Sequence, residues 1–228
     1  FWDTWREEYV VYTRGVANSD PNVDPVVIRE MLKTKKPLHS QMLGHEFKGG
    51  VRSIRRATSP DFLNWSPLEN IDCGDTPFEH FYTNACVQYD RAPGTYLMFP
   101  SRFVVDRSPD PEWPTPGLSD IIFMSSRDGI HFDRSFLEAF VRPGLDSQNW
   151  HERGIYMETG IMQTSSEEMS LYGMDHKGTP SMRIVRYGLR TDGFVSVNAG
   201  YGGGRFTTKS FVFSGSSLEL NYSTSAVG

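Results

Sequence analysis

The sequence predicts an all-β fold built from repeated groups of antiparallel strands. The chain has 21 Gly and 14 Pro, so turns are frequent, and its aromatic content of 13% favours strands. Short apolar segments recur in groups of four, separated by polar turns. Repeats of this length with four strands are typical of β-propeller blades. The alternative architecture is a long antiparallel meander or a sandwich.

The first copy of the repeat occupies about the first 65 residues. Glu8–Arg14 and Val51–Ser59 have the apolar and aromatic character of strands, and the turn at residues 60–64 leads to Trp65. Between the two strands, Asp24–Lys33 combines an N-cap with a first-turn proline and predicts a short helix. This copy lacks a first strand, and the chain starts within the pattern. We therefore expect it to be a piece of a longer protein.

The second and third copies are more complete. The predicted strands of the second copy lie at residues 79–90, 95–103 and 120–126, followed by a turn leading to Phe132. Those of the third copy lie at residues 155–163, 169–173 and 182–189, followed by a turn leading to Phe194. Asp61, Asp128 and Asp192 recur in the turns between strands three and four. Asp side chains in turns bond to their own backbone, so we expect these three to be structural.

The pattern changes at about residue 198. A glycine-rich connector at residues 199–204 precedes two strand patterns, Phe206–Phe213 and Ser217–Tyr222. We expect residues 1–198 to form a partial propeller, and residues 199–228 to form a linker and the first strands of a β-sandwich.

Composition limits the partners. The net charge of −5 offers no basic field for nucleic acid. No run of eighteen apolar residues predicts a membrane span. Cys73 and Cys86 are expected to be free thiols, because Cys86 falls inside a strand and free Cys behaves as a small buried hydrophobe. The oligomeric state is left open.

Several phrases resemble known carbohydrate-active proteins. Residues 58–66, Thr-Ser-Pro-Asp-Phe-Leu-Asn-Trp-Ser, are similar to the blade-closing phrase of five-bladed β-propeller glycoside hydrolases of families 32, 43, 62 and 68. The segments at residues 82–84, 99–102, 126–129, 192–194 and 220–226 look like those of a poorly characterised bacterial group of glycosidase-like propellers. The resemblance implies five blades in the whole protein, of which about three are visible here. It also implies an oligo- or polysaccharide partner and an extracellular or periplasmic location.

Propeller topology predicts which residues converge. The beginnings of first strands, the ends of second strands and the connections between blades lie on one face, which we call the pocket face. Carboxylates, cations and aromatic rings are predicted to meet there. The candidate substrate-binding residues are Arg14, His80, Tyr82, Asn84, Arg102, Trp150, Arg153 and His176.

Glycoside hydrolysis needs one carboxyl group to protonate the leaving oxygen and a second as base or nucleophile. In the families resembled, the acid is a Glu at the start of a central strand, and Glu158 matches that position. The families also use two Asp residues on earlier first strands, where this chain shows Asn84 or no strand. Asp75 or Asp175 is therefore the candidate second carboxylate, with Glu79 or an upstream residue as alternatives.

The same residues also have structural interpretations. Arg14 and Arg102 either clamp a carboxylate or sulfate on a sugar or form ion bridges between blades. Tyr82 and Trp150 either stack on a sugar or belong to the core. The histidines are too scattered to form a metal motif, so no cofactor is predicted, and a Ca²⁺ ion on the axis remains open. A propeller that binds a glycan without cleaving it, or that is purely structural, is the alternative function.

Overall fold

Three antiparallel meanders contain the described strands, all of which precede Val195. The structure is a computed structural model that describes residues 1–17, 51–77, 79–104, 107–113, 117–150 and 154–224. The chain divides into two compact units, Phe1–Phe194 and Val195–Gly228. The division lies close to the boundary expected at residue 198. The helix expected at Asp24–Lys33 lies outside the described residues.

The first meander is a four-stranded sheet in chain order. Its strands are β1 (Trp2–Asp3), β2 (Glu8–Ala17), β3 (Val51–Ser59) and β4 (Glu69–Asn70). The short β1 pairs with the start of β2 through Trp2 and Tyr9, so the first strand that the sequence appeared to lack is present in reduced form. Asp3 ends β1 and is fully buried, and its carboxylate accepts hydrogen bonds from the Trp5 and Arg6 amides. Asp3 therefore stabilises the turn into β2.

The second meander has each of its first three strands interrupted. Its strands are β5 (His80–Phe81), β6 (Val87–Gln88), β7 (Tyr96–Met98), β8 (Ser101–Val104), β9 (Leu118–Ile121), β10 (Met124–Ser126) and β11 (Phe132–Asp133). They form two sheets, β5-β8-β9 and β6-β7-β10-β11. The amides of Tyr82, Phe99 and Ile122 donate across the breaks to Ser101, Asn84 and Pro100 respectively. These bonds join the two sheets into one bent unit.

The third meander follows a short 3₁₀ turn at Ser147–Trp150. Its strands are β12 (Tyr156–Met157), β13 (Met162–Gln163), β14 (Glu168–Asp175) and β15 (Arg183–Arg190). β12 and β13 both pair with β14 and together form an interrupted first strand. A Cβ atom at Gly173 would lie 2.8 Å from the Tyr156 carbonyl oxygen, so glycine is needed where β12 and β14 approach closely. No fourth strand follows β15 in the described chain.

The apolar core consists of two clusters of buried side chains. One includes Ile54, Tyr96 and Met98, and the other includes Phe99 and Met157. These clusters pack the meanders of the first unit against each other. The predicted all-β class with antiparallel sheets is confirmed, whereas closure into a five-bladed propeller is not confirmed and stays a prediction.

Two of the recurring turn aspartates have nearly identical surroundings. Asp61 accepts hydrogen bonds from the Leu63 and Asn64 amides, and Asp128 accepts them from the amides two and three residues later. Each also contacts a serine hydroxyl two residues before it. These bonds hold the pKa of both carboxyls below the usual range, although partial burial of Asp128 opposes the shift. The structural role predicted for both residues is confirmed.

The second unit contains no strand within residues 195–224. Its large apolar side chains are exposed, among them Phe206, Val212 and Leu220. The segments Phe206–Phe213 and Ser217–Tyr222 do not pair with each other, so the expected hairpin is not formed in this stretch. The β-sandwich start therefore stays a prediction. Within the described ranges, no helix has the length and hydrophobicity required to cross a bilayer.

Candidate functional site

An open cleft of about 530 Å³ lies where the three meanders meet. The lining residues come from the middle of β2, the interruption between β5 and β6, the region of β12, and the end of β14 and the turn after it. They are Tyr12, Thr13, Arg14, Tyr82, Thr83, Asn84, Ala85, Tyr156, Met157, Glu158, Thr159, Met174 and Lys177. Four predicted site residues are thus brought together: Arg14, Tyr82, Asn84 and Glu158.

The first meander contributes the middle of β2. Side chains two residues apart on a strand share a face, so Tyr12 and Arg14 point to the same side of the sheet. The Tyr12 hydroxyl donates to the Gly129 carbonyl oxygen at 2.7 Å, and burial raises the pKa of this phenol above its usual range. Arg14 is exposed and has no hydrogen-bond or ion-pair partner among the described residues. Its guanidinium is therefore available to a ligand.

The second meander contributes the loop between β5 and β6. Asn84 is fixed by its own turn: its Oδ1 accepts the Cys86 amide at 3.0 Å, and its Nδ2 donates to the Tyr12 carbonyl at 3.4 Å. Tyr82 is half-buried, with the Arg52 guanidinium 4.5 Å from its ring centroid. Both residues thus have structural partners and still form part of the cleft wall.

The third meander contributes the one acidic side chain of the described cleft lining. Glu158 directly follows β12, and its amide donates to the Tyr172 carbonyl oxygen at 2.9 Å. Its side chain is exposed and has no partner within the described residues. Lys177 lies beyond the end of β14, with its Nζ 4.5 Å from the Tyr156 ring centroid. This cation–π contact places a positive charge and an aromatic face side by side.

Arg102 lies in a buried ionic cluster and not in this cleft. Its guanidinium contacts Glu79 at 2.7 Å and Asp120 at 2.8 Å, and it also donates to the Leu137 carbonyl oxygen at 2.8 Å. Burial would lower the pKa of Arg102, but the hydrogen bonds that its guanidinium donates to the two carboxylates raise the pKa overall. The structure thus agrees with the ion-bridge interpretation of this residue. It shows no free guanidinium at position 102 for a sugar acid.

His80 is also buried, with 7% of its surface exposed. Its Nδ1 accepts the Arg52 amide at 3.2 Å, so the imidazole completes the backbone bonding of β3. Burial, assisted by the Arg52 charge, lowers the pKa of His80 to about 4. The structure therefore places a neutral histidine behind the cleft wall, where it does not reach a ligand in the cleft.

The side chains of Asp175 and His176, at the end of β14, bond to other groups of the protein. Asp175 pairs with Arg183 at 2.9 Å across the β14–β15 hairpin. The His176 ring contacts Asp146 through Nε2 at 2.8 Å and Ser181 through Nδ1 at 2.9 Å. These contacts connect the hairpin to the segment before the 3₁₀ turn. Neither residue lines the described cleft, so Asp175 is not positioned as a partner carboxylate for Glu158.

The remaining predicted residues lie elsewhere or outside the described chain. Trp150 donates its indole Nε1–H to the Gly144 carbonyl at 3.1 Å and is absent from the cleft lining. Asp75 is exposed on the connection between β4 and β5, also outside that lining. Arg153 falls outside the described residues.

Within the described chain, no group of three His, Cys, Asp or Glu side chains is arranged to hold a metal ion. Both cysteines are free thiols, as predicted.

Nine of the thirteen cleft-lining residues were not among the predicted site residues, and Tyr12 and Lys177 show why. Tyr12 stands two positions before Arg14, so strand alternation alone places it on the same face. Lys177 follows the end of β14 by two residues, in a turn whose direction the sequence does not indicate. Tyr12 was therefore accessible to sequence reasoning, and Lys177 was not.

The arrangement can bind a polar ligand that also has apolar faces. Tyr12, Tyr82 and Tyr156 supply aromatic surface, and the threonines and Asn84 supply polar groups. Arg14 and Lys177 supply positive charge, and Glu158 supplies a carboxylate. Pockets of this size with aromatic walls and a few polar groups are typical small-molecule sites.

Comparison with known proteins yields a likeness in fold. No family model and no curated protein matches the sequence. Among solved structures, the chain is similar to an N-acetylgalactosamine deacetylase from F. plautii, crystallised in complex with blood group B trisaccharide. The two share 11% identity with a TM-score of 0.51, and the match covers 85% of this chain and 49% of that chain. The chain thus spans about half the length of that deacetylase, and the likeness concerns the fold alone.

Proposed function

We propose that this protein binds an oligo- or polysaccharide in the cleft between the three meanders. The observation that carries the proposal is the convergence of Arg14, Tyr82, Tyr156 and Glu158, from three separate meanders, in one open cleft. Aromatic side chains provide large contact areas at low entropic cost, and the neighbouring polar groups can bond hydroxyls. The structural neighbour was crystallised with a trisaccharide, which adds weak support for a glycan partner.

Replacing Tyr156 by Ala is expected to weaken glycan binding about tenfold, because an aromatic contact contributes about 1–1.5 kcal/mol. The measurement is calorimetric titration with oligosaccharides that bind the unmodified protein. Tyr201→Ala is a matched control, since Tyr201 is fully exposed in the second unit. Equal affinities of the two variants would remove Tyr156 from the binding surface.

Hydrolysis of the bound glycan is the finer proposal, with Glu158 as general acid. The observation in its favour is the exposed carboxylate of Glu158, which no described residue engages. A glycosidase also needs a second carboxylate about 5–9.5 Å away. Among the described cleft-lining residues, Glu158 is the one acidic side chain, so the proposal requires a second carboxylate from outside that lining. Binding without cleavage is the alternative that this incompleteness favours.

Glu158→Gln separates the two functions. If the protein is a glycosidase, the variant is expected to lose at least about 100-fold in the rate of reducing-sugar release, because a positioned general acid contributes about that much or more. Its affinity for the glycan should change little, since the amide keeps the shape of the side chain. Glu167→Gln, at an exposed position outside the described cleft, is the control. Unchanged turnover in Glu158→Gln would exclude Glu158 as the acid. If the unmodified protein binds a glycan and does not cleave it, the hydrolase proposal fails and the binding proposal stands.

A further inference from the structure

In the part of the chain that the structure describes, the two cations of the cleft lack the carboxylate partners that several arginines between the strands have. Arg102, Arg107 and Arg134 each lie against a carboxylate. By contrast, Arg14 and Lys177 have no acidic partner in the described residues, although both line the same cleft. An arginine that serves only to bridge meanders would be expected to have such a partner, as Arg102 does.

The cleft carries a net positive charge although the protein is acidic. Its described ionisable side chains are the cations Arg14 and Lys177 and the carboxylate Glu158, which gives a formal sum of +1. The whole chain has a net charge of −5. Concave sites focus the field of the charges that line them, so a local excess of this sign attracts anions even on an acidic protein.

We propose that the glycan bound in the cleft carries an oxyanion, either the carboxylate of a uronic acid or a sulfate ester, and that Arg14 and Lys177 bind it. This inference rests on the proposed glycan-binding function. The guanidinium of Arg14 presents a planar fork of N–H donors that can bond two oxygens of a carboxylate or of a sulfate at once. Lys177 contributes a compact positive charge, and its contact with the Tyr156 ring holds that charge beside an aromatic surface.

Arg14 can bind an anion without losing an ion pair within the described part of the protein. The side chain is exposed within β2, so binding does not require breaking an existing ion pair. Arg102 is held by two carboxylates and would have to abandon both to reach an anion. The two predicted clamp arginines therefore separate into a ligand-binding residue, Arg14, and a structural residue, Arg102.

Matched pairs of glycans test the inference by isothermal titration calorimetry. One pair is oligogalacturonate and its methyl ester, which differ in the carboxylate charge, and the other is a carrageenan oligosaccharide, a sulfated galactan without uronic acid, and its neutral desulfated form. We expect the charged member of at least one pair to bind at least about tenfold tighter, because hydrogen bonds to charged groups contribute about that factor. The advantage should shrink as salt rises from 50 mM to 500 mM. The pair that shows the advantage identifies carboxylate or sulfate as the group recognised.

Variants identify the residues responsible. Arg14→Ala is expected to remove about tenfold of the affinity for the charged glycan and to leave the affinity for its neutral partner within about twofold. Arg14→Lys should recover part of the loss, since it restores the charge without the fork. Arg190→Ala is the control, because Arg190 is an exposed arginine at the end of β15 and outside the cleft. Thermal unfolding verifies that each variant is folded.

The outcomes separate the two proposals. Equal affinity for charged and neutral members of both pairs overturns the oxyanion inference and leaves glycan binding intact. An Arg14→Ala effect no larger than that of Arg190→Ala also overturns it. If none of the four glycans binds, the oxyanion inference is overturned. The glycan-binding proposal is overturned only if neutral oligosaccharides outside these pairs also do not bind.

Discussion

Replacing Asp120 by Ala is expected to lower the free energy of unfolding by about 3–5 kcal/mol, the usual cost of removing one partner from a buried ion pair. Asp120 is fully buried on β9, where its carboxylate bonds Arg102 at both Nε and Nη2. Without it, the Arg102 guanidinium stays buried with one of its two carboxylate partners lost. Urea denaturation of the variant measures the loss.

Controls separate the network from a general effect of losing charge. Asp120→Asn keeps the shape but not the charge, and it should recover only a small part of the loss. Arg107 is the more exposed partner of the same carboxylate, with 41% of its side chain exposed. Arg107→Ala should therefore lower the free energy of unfolding by about 1 kcal/mol or less. A loss below about 1 kcal/mol for Asp120→Ala would show that the cluster is not an important source of stability, and Arg102 would again be a candidate for ligand binding.

Acidification from pH 6.5 to pH 4 is expected to destabilise the protein through His80 by about 3 kcal/mol. Burial and the Arg52 charge lower the pKa of His80 to about 4, whereas in the unfolded chain the pKa is about 6.5. Between these values the unfolded state binds a proton that the folded state excludes, so the free energy of unfolding falls as the pH falls. The contribution is fully present above pH 6.5 and is lost progressively down to about pH 4.

His80→Asn is the variant that tests this expectation. The Asn Oδ1 can replace the Nδ1 acceptor for the Arg52 amide but has no proton to gain in this pH range. We expect a flatter dependence of the unfolding free energy between pH 6.5 and pH 4, measured by urea denaturation at several pH values. His131→Asn is the control, since His131 is exposed and its bond to Asp128 raises its pKa. An identical slope in His80→Asn and the unmodified protein would show that folding does not lower the pKa of His80, because the folded and unfolded states would then bind its proton equally.

The turns and strands were accessible from the sequence because they depend on local patterns. The repeated Ser-x-Asp phrase at Ser59 and Ser126 predicts a turn in which the carboxylate bonds nearby amides, and the structure contains both turns. The interruption of the second meander was not predicted, although Pro100 stands at the break and lacks the amide that a strand needs. Apolar periodicity identified the strand pairs but not where they bend.

The cleft was accessible in part, because strand order alone determines which strand ends meet. This reasoning placed Arg14, Tyr82, Asn84 and Glu158 on one face, and these four line the cleft. It also placed Arg102 there, and the structure directs Arg102 to Glu79 and Asp120, which are distant in sequence. Strand order does not predict such pairings, because they depend on the bends and turns that determine where each side chain points.

The end of β14 shows the same limit. Asp175 and His176 follow the strand on the expected side, but His176 adopts a left-handed backbone conformation with φ of 55°. Asp175, the last residue of β14, pairs with Arg183, the His176 ring contacts Asp146, and Lys177 lines the cleft instead. The charged side chain that lines the cleft here thus comes from the turn after β14. No composition or spacing rule for the sequence predicts that conformation at a histidine.

The central claim is that the cleft between the three meanders binds a glycan, and a crystal structure with a bound oligosaccharide tests it most directly. Crystals soaked with the tightest-binding oligosaccharide from the titrations are expected to show a sugar ring against Tyr156 or Tyr82, and hydroxyls or an oxyanion within hydrogen-bond distance of Arg14. The claim would be contradicted if the cleft between the three meanders were empty and sugar density lay at another surface, such as the cavity lined by Arg102, Arg107 and Arg142.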